Sequence, residues 1–293
     1  MQGYKELRES AAWVDLSARG KIRMTGEDRV RLLHAMCTNH IEELKPGDGC
    51  YAFFLSAQGR ILADINVLCF EDHLLLDTEP ETRQRVFDHL DQFIIADDVT
   101  LEDATASLAT IAIKGPKLPI TGPNQQQHWT ALGDNVVLRI DPDTLYIFTP
   151  DKAAFVATLN VPEADAEAYR TIRIEQGIPR YGEEITERFL VQETGQMRAM
   201  NFSKGCYLGQ EIVERVRSRG QVHRHLMTVR IDTQEVPATG AKLTSGEKEL
   251  GEIVSAAHSP ALQKIVAMAY LRTDAATPGF KLTLGEASAE VGS

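Results

Sequence analysis

From Leu226 onward the chain changes character, and that change limits what it can fold into. Short alternating stretches over 227–231, 242–243, 250–255, 265–270 and 281–284 are separated by Gly, Pro, Ser and charged turn residues. Strands this short and evenly spaced can satisfy their backbones only by pairing with one another, and a run of them closes into a small β-barrel. The preceding part is built differently. Its patterning predicts a strand over 21–24, a helix over 27–37, and strands over 51–55 and 61–70 joined by Ser56-Ala57-Gln58-Gly59-Arg60. A helix over 79–93, strands over 99–103, 107–114 and 145–149, and a short helix over 151–159 follow. Strand pairs alternating with helices, without a regular βαβ repeat, make this an α+β arrangement rather than a doubly wound sheet. The stretch 121–129, with Gly122-Pro123-Asn124 and three glutamines, reads as an exposed loop. Neither a G-x-G-x-x-G nor a P-loop is present.

Certain polar residues stand where local pattern alone would not put them. In the strand over 61–70, Ile61, Ala63, Ile65 and Val67 form one face and Leu62, Asp64, Asn66 and Leu68 the other. An Asp on a half-apolar strand face either points to solvent or, if buried, needs partners or a changed pKa. Further on, a helix through Tyr169, Ile172 and Ile174 is stopped by Gly177 and Pro179, which leaves Glu175 at its C-terminal end. The helix dipole disfavours a carboxylate there, so Glu175 requires a compensating donor, either Arg170 or Arg173 or a ligand.

The third place is Lys204-Gly205-Cys206-Tyr207-Leu208-Gly209-Gln210-Glu211. Leu208, Ile212, Val213 and Val216 recur at helical spacing, which predicts a helix whose first turn begins near Cys206. Unpaired N–H groups at that end and the ammonium of Lys204 would favour a thiolate, while Gly205 and Gly209 would permit a tight turn or a close approach. The alternative is a small cysteine packed under the helix.

Charge and cysteine usage narrow the function classes. The net charge is −11, yet from 198 to 225 six basic residues (Arg198, Lys204, Arg215, Arg217, Arg219 and Arg224) face only Glu211 and Glu214. A compact basic segment on an acidic chain suits a small anionic ligand better than a nucleic-acid track. Cys37, Cys50, Cys69 and Cys206 are scattered without a C-x-x-C pair, against a disulfide framework, a zinc site or a resident iron–sulfur cluster. His223 and His225 flank Arg224 and read as structural, with no third ligand nearby. The first residues lack the apolar core of a signal peptide and the arginine richness of a transit peptide, and no run approaches a membrane span, so a cytoplasmic location is expected.

These motifs carry a resemblance. Lys204 to Glu211, followed by Arg215, Arg219-Gly220 and Arg224, resembles the signature of the YgfZ group of folate-binding proteins, relatives of the glycine-cleavage T-protein. Asp15-Leu16-Ser17, Gly20-Lys21-Ile22 and Gly26-Glu27-Asp28 are similar to the opening strand and helix of the T-protein family. Gly59-Arg60-Ile61-Leu62-Ala63-Asp64 matches its glycine-rich hairpin and following acid, and Arg173-Ile174-Glu175-Gln176-Gly177 resembles the R-x-E-x-G segment whose Glu holds a pterin. The resemblance implies a GcvT-like fold: a folate-binding domain of two interleaved α+β lobes over 1–225 and a C-terminal barrel over 226–293. It implies tetrahydrofolate or a one-carbon-substituted folate as ligand and no resident metal. Glu175 would accept from the pterin, and Asp64, with Asn66 beside it, would face the reactive N5–N10 region. Lys204, Gly205, Tyr207, Gln210 and Arg219 would line the ligand, with Cys206 as nucleophile or transient thiolate ligand.

The implied role is an accessory protein, without classical turnover, that supports iron–sulfur cluster assembly or repair and iron–sulfur-dependent tRNA modification. Its implied partners are folate and iron–sulfur assembly factors or client enzymes, with no membrane and no direct nucleic-acid binding. The rival is a tetrahydrofolate-dependent aminomethyl- or one-carbon transferase. Against the rival, T-proteins lack K-G-C-Y-x-G-Q-E, often carry two acids where this hairpin has one, and bear an Asn on the strand that here reads Leu74-Leu75-Leu76-Asp77-Thr78.

Overall fold

A computed structural model describes residues 1–220 and 222–292, with the side chain of Arg219, one of the expected ligand residues, outside the described residues. The chain divides into two compact units: Met1–Ala168 with Arg198–Gln210, and Tyr169–Met197 with the chain from Glu211 onward. The first unit holds α1 (Tyr4–Glu9), β1 (Ala12–Asp15), β2 (Gly20–Thr25), α2 (Arg29–Met36), β3 (Gly49–Leu55), β4 (Ile61–Cys69), β5 (Leu74–Thr78), α3 (Arg83–Asp91) and β6 (Thr100–Asp103). β7 (Ala109–Lys114), β8 (Trp129–Leu132), β9 (Asn135–Asp141), β10 (Thr144–Thr149) and α4 (Lys152–Val156) complete its named elements. Its strands form two five-stranded antiparallel sheets, in the orders β1-β7-β10-β9-β8 and β3-β4-β5-β2-β6. The chain enters the first sheet through β1, builds the second, and returns at β7, so the lobes interleave as expected.

The second sheet has two unlike faces, because side chains alternate along each strand. Ile22 and Met24 of β2, Ala63, Ile65 and Val67 of β4, and Leu74 and Leu76 of β5 are buried in one core with Leu33 and Met36 of α2 and Val86 and Leu90 of α3. Burial of each of the larger side chains among them contributes about 1.5–3 kcal/mol. The opposite face carries Lys21, Tyr51, Asp64, Asn66 and Asp77, all buried. The surface-facing alternative for Asp64 therefore does not hold.

The second unit takes up α5 (Ala166–Glu175) from Tyr169 onward, together with α6 (Gln210–Arg219) from Glu211. α5 ends in a Schellman motif: Ile178 N–H donates to Arg173 O, Gly177 N–H to Ile174 O, and Gly177 is left-handed at φ 65°. The strands β11 (Arg224–Ile231), β12 (Lys242–Ser245), β13 (Lys248–Ser259), β14 (Lys264–Arg272), β15 (Lys281–Leu284) and β16 (Ala287–Val291) close into a barrel in the order β11-β14-β13-β12-β15-β16. Val229, Ile231, Ile253, Ile265, Ala267, Leu271 and Leu282 are among the residues that fill its core.

The octapeptide corrects two expectations. The helix α6 starts at Gln210, not near Cys206, because Gly209 stands in the left-handed region at φ 82° and cannot continue a right-handed helix. A Cβ on Gly209 would lie 2.5 Å from Ser56 O, so this glycine serves a close approach to the β3–β4 turn. Gly205 has no such need: a Cβ there would meet nothing within 4 Å. Lys204 is the second correction. Its ammonium is buried and donates to the carbonyls of His34, Cys37 and Asn39 at 2.5, 2.6 and 2.8 Å. An ammonium has three N–H bonds, and all are taken, so Lys204 neither serves the Cys206 thiol nor has a donor left for a ligand. It satisfies the carbonyl end of α2, where a cation is also favoured by the helix dipole. Leu208 N–H adds a bond to Ala35 O at 3.3 Å.

Replacing Lys204 with Met leaves three carbonyls unmet, those of His34 and Cys37 buried and that of Asn39 half-buried. The expected loss is about 2–4 kcal/mol, visible as a lower urea midpoint at unchanged slope. A midpoint equal to wild type would show that the carbonyls are satisfied without it.

Candidate functional site

The polar face of the second sheet is organised by strand register. Tyr51 of β3 pairs with Asn66 of β4, Asn66 pairs with Asp77 of β5, and Asp77 pairs with Lys21 of β2. Arg19, just before β2, reaches over Asp77: Nε donates to Oδ1 at 2.9 Å and Nη2 to Oδ2 at 2.7 Å. Nη1 of Arg19 also donates to Glu79. Asn66 Nδ2 donates to Asp77 Oδ2 at 2.9 Å. Burial alone would weaken the Arg19 cation, but Asp77 and Glu79 hold its pKa well above the ordinary value. Burial pulls Lys21 down to about 8, against the attraction of Asp77.

Asp64 is the acid this network leaves over. Its Oδ2 accepts from Tyr51 Oη at 2.8 Å, while Oδ1 is buried without a hydrogen-bond partner. Burial first and the nearby Glu79 second push its pKa up to about 6, against the pull of Arg19 and of the Tyr51 hydroxyl. Tyr51 is itself pushed well above the usual phenol value by burial and by Asp64, so it remains a donor. Over the Tyr51 ring lies the exposed guanidinium of Arg198, 4.8 Å from the ring centroid. A buried carboxylate that keeps an open acceptor near neutrality can hold a proton or accept from an N–H.

The structure thus brings Asp64 and Asn66 onto one buried face. Lys204 is directed to backbone carbonyls instead. Cys206 is exposed, whereas Cys37, Cys50 and Cys69 are buried. Tyr207 and Gln210 shape the turn between them: Tyr207 N–H donates to Gln210 Oε1 at 3.2 Å, and the Lys204 ammonium lies 5.0 Å from the Tyr207 ring centroid. In the second unit Glu175 is half-buried at the last residue of α5. Arg170 and Arg173, offered as its partners, bond to Glu183 and Glu184.

The residues missed in the sequence are Arg19, Lys21, Tyr51, Asp77, Glu79 and Gln127. Asp77 carried a signal, an acid at the end of Leu74-Leu75-Leu76, the same anomaly that marked Asp64. The others acquire their meaning only from pairing.

His34, His40 and Glu42 place ligand atoms within 4.8 Å of one another. His34 Nδ1 accepts from Ile41 N–H at 3.3 Å, which puts the neutral ring's proton on Nε2, the nitrogen facing Glu42. That nitrogen is then a donor rather than a metal ligand. Among the described residues, no helix is long and apolar enough to cross a membrane.

Comparison with known proteins assigns the class. Residues 2–119 match the GCVT N-terminal domain and residues 224–289 the glycine cleavage T-protein C-terminal barrel domain. With both domains present in that order, the chain belongs to the GcvT-like superfamily. It is 27% identical to a chloroplastic Arabidopsis thaliana protein whose name assigns it provisionally to the transferases, over 93% of this chain and 68% of that one. It is 26% identical to an aminomethyltransferase of Koribacter versatilis (strain Ellin345), over 92% of this chain and 79% of that one. The crystal structure of glycine cleavage system aminomethyltransferase T from Bartonella henselae superposes with a TM-score of 0.88, covering 100% of this chain and 88% of that one at 19% identity. That likeness establishes the shared fold.

The raised Asp64 pKa has a stability consequence. Between about pH 4 and pH 6 the folded chain holds a proton that the unfolded chain has released, so this group's contribution falls as pH rises through that window. Asp64→Asn removes the titration. The stability difference should therefore shift in favour of the variant by on the order of 3 kcal/mol between pH 4 and pH 7. Urea unfolding at several pH values checks this, and a pH-independent difference would refute the raised pKa.

Proposed function

We propose that this chain is a tetrahydrofolate-binding accessory protein supporting iron–sulfur cluster assembly or repair, including that of enzymes that modify tRNA. The observation that carries the folate part is Asp64, a buried carboxylate with one oxygen held by Tyr51 and the other without a donor. That orphan acceptor fits a ligand bearing N–H groups. Asp64 would accept from the folate near N5 and N10, with Asn66 on the same face. Glu175, at a helix end where the dipole disfavours its charge, would accept two parallel N–H donors from the pterin. Bound folate supplies nitrogen atoms able to carry a one-carbon unit. The residues of the chain would orient those atoms, exclude water, and hold or release a proton at Asp64.

The iron–sulfur part is supported by the resemblance of Lys204 to Glu211 to the YgfZ signature and by the exposure of Cys206 alone among the cysteines. The thiol would act as nucleophile or transient thiolate ligand toward assembly factors or client enzymes. A second reading, an aminomethyl- or one-carbon transferase, is favoured by the names of the relatives. Against it stands Asp77, whose oxygens are taken up by Arg19 and Asn66, on the strand where T-proteins carry an Asn.

Calorimetric titration with tetrahydrofolate is expected to show binding that weakens roughly tenfold in Glu175→Gln, the scale of one lost charged hydrogen bond. Unchanged affinity would remove Glu175 from the site, and no binding by wild type would remove the folate reading. Wild type supplied with an aminomethyl-loaded carrier protein and tetrahydrofolate should transfer nothing; transfer would establish the second reading. In a deletion strain, wild type should restore iron–sulfur enzyme activity and Cys206→Ala should not.

A further inference from the structure

The loop between β7 and β8, exposed on composition, sends one residue into the polar face. Gln127 is buried, and its Nε2 lies 3.4 Å from Asn66 Oδ1. Its backbone is left-handed at φ 62°, a conformation that costs a side-chain-bearing residue about 1 kcal/mol. The loop is nevertheless held there. Gln127 N–H donates to Arg139 O at 2.7 Å, Trp129 N–H to Gly47 O at 2.9 Å, and Trp129 Nε1 to Cys69 O at 3.0 Å. Gly49 makes room, since a Cβ on it would come within 2.8 Å of Gln127 O.

The direction of the Gln127 amide follows from Asp77. An ionised carboxylate only accepts, so Asn66 must turn its NH2 group toward Asp77 and its oxygen toward Gln127. Gln127 must then turn its own NH2 group toward Asn66. Its Oε1 is left as the free end of the relay, buried and without a hydrogen-bond partner. Asp64 Oδ1 is in the same condition. Two buried acceptors without donors cost about 1–3 kcal/mol each, and the protein supplies a donor to neither.

We infer that Gln127 is a ligand-contacting residue: its Oε1 and Asp64 Oδ1, the two unmet acceptors of this face, select a folate whose N5 and N10 still carry hydrogen. The inference rests on the folate reading and deepens it to the one-carbon state. A ligand with N–H at both positions supplies what the two oxygens lack, and acylation at N5 removes one donor.

The left-handed backbone provides a clean variant. Gln127→Gly deletes the amide while relieving the backbone strain, so folding is kept or improved. Wild type and this variant are titrated calorimetrically with tetrahydrofolate and with 5-formyltetrahydrofolate, and thermal unfolding of both proteins is recorded. Wild type should favour tetrahydrofolate by tenfold or more, and the variant should lose roughly tenfold on tetrahydrofolate and most of the preference while melting no lower. Unchanged tetrahydrofolate affinity in the variant would mean that an internal water fills the acceptor and would overturn the inference. Equal weakening toward both ligands, together with lower melting, would also overturn it, as a purely structural role. A wild type that binds neither ligand would overturn the folate reading itself.

Discussion

The carboxylate of Asp77 is the fixed point of the candidate site. It is fully buried in the middle of a sheet, where an unpaired charge is prohibitively costly, and Arg19 meets both of its oxygens. Everything near it is then constrained. Asn66 must donate to it, Lys21 lies beside it in register, and Arg19 spends its remaining edge on Glu79. Three acids, Asp64, Asp77 and Glu79, share this buried face with two cations, Arg19 and Lys21. The acid left over is Asp64, held by the Tyr51 hydroxyl, and burial together with the nearby Glu79 raises its pKa.

A second constraint holds the segment that carries Cys206. Lys204 closes the carbonyl end of α2, Gly209 lies against the β3–β4 turn, and Thr38 Oγ1 donates to Ala199 O at 2.6 Å. The lysine and one glycine that suggested an activated thiol are therefore committed to the backbone. What they leave is an exposed cysteine on a segment fixed at both ends. Its chemistry depends on what approaches it rather than on a built-in helix dipole.

Much of the fold was legible because it follows from local pattern. The barrel announced itself through short alternating strands, and the end of α5 through Gly177 and Pro179, both seen in the structure. Asp64 and Glu175 were legible as candidates because each breaks the pattern around it. The 121–129 loop has the composition of a solvated loop, yet only four of its nine residues are exposed and Gln127 is buried. Lys204 was misjudged for a related reason, since its partners lie about 170 residues earlier in the chain.

By itself, the sequence determined the α+β class, the C-terminal barrel, the interruption of β4 by Asp64 and Asn66, and the carboxylate at the end of α5. These follow from periodicity and from turn chemistry, which act over a few residues. Only the tertiary structure decided that Asp77 is clamped by Arg19, that Lys204 caps a helix, that Asp64 keeps an open oxygen, and that Gln127 completes the polar face. The physical reason is that compensation of a buried charge is non-local. Register between strands distant in the chain chooses the partners, and no pattern along one strand contains that choice.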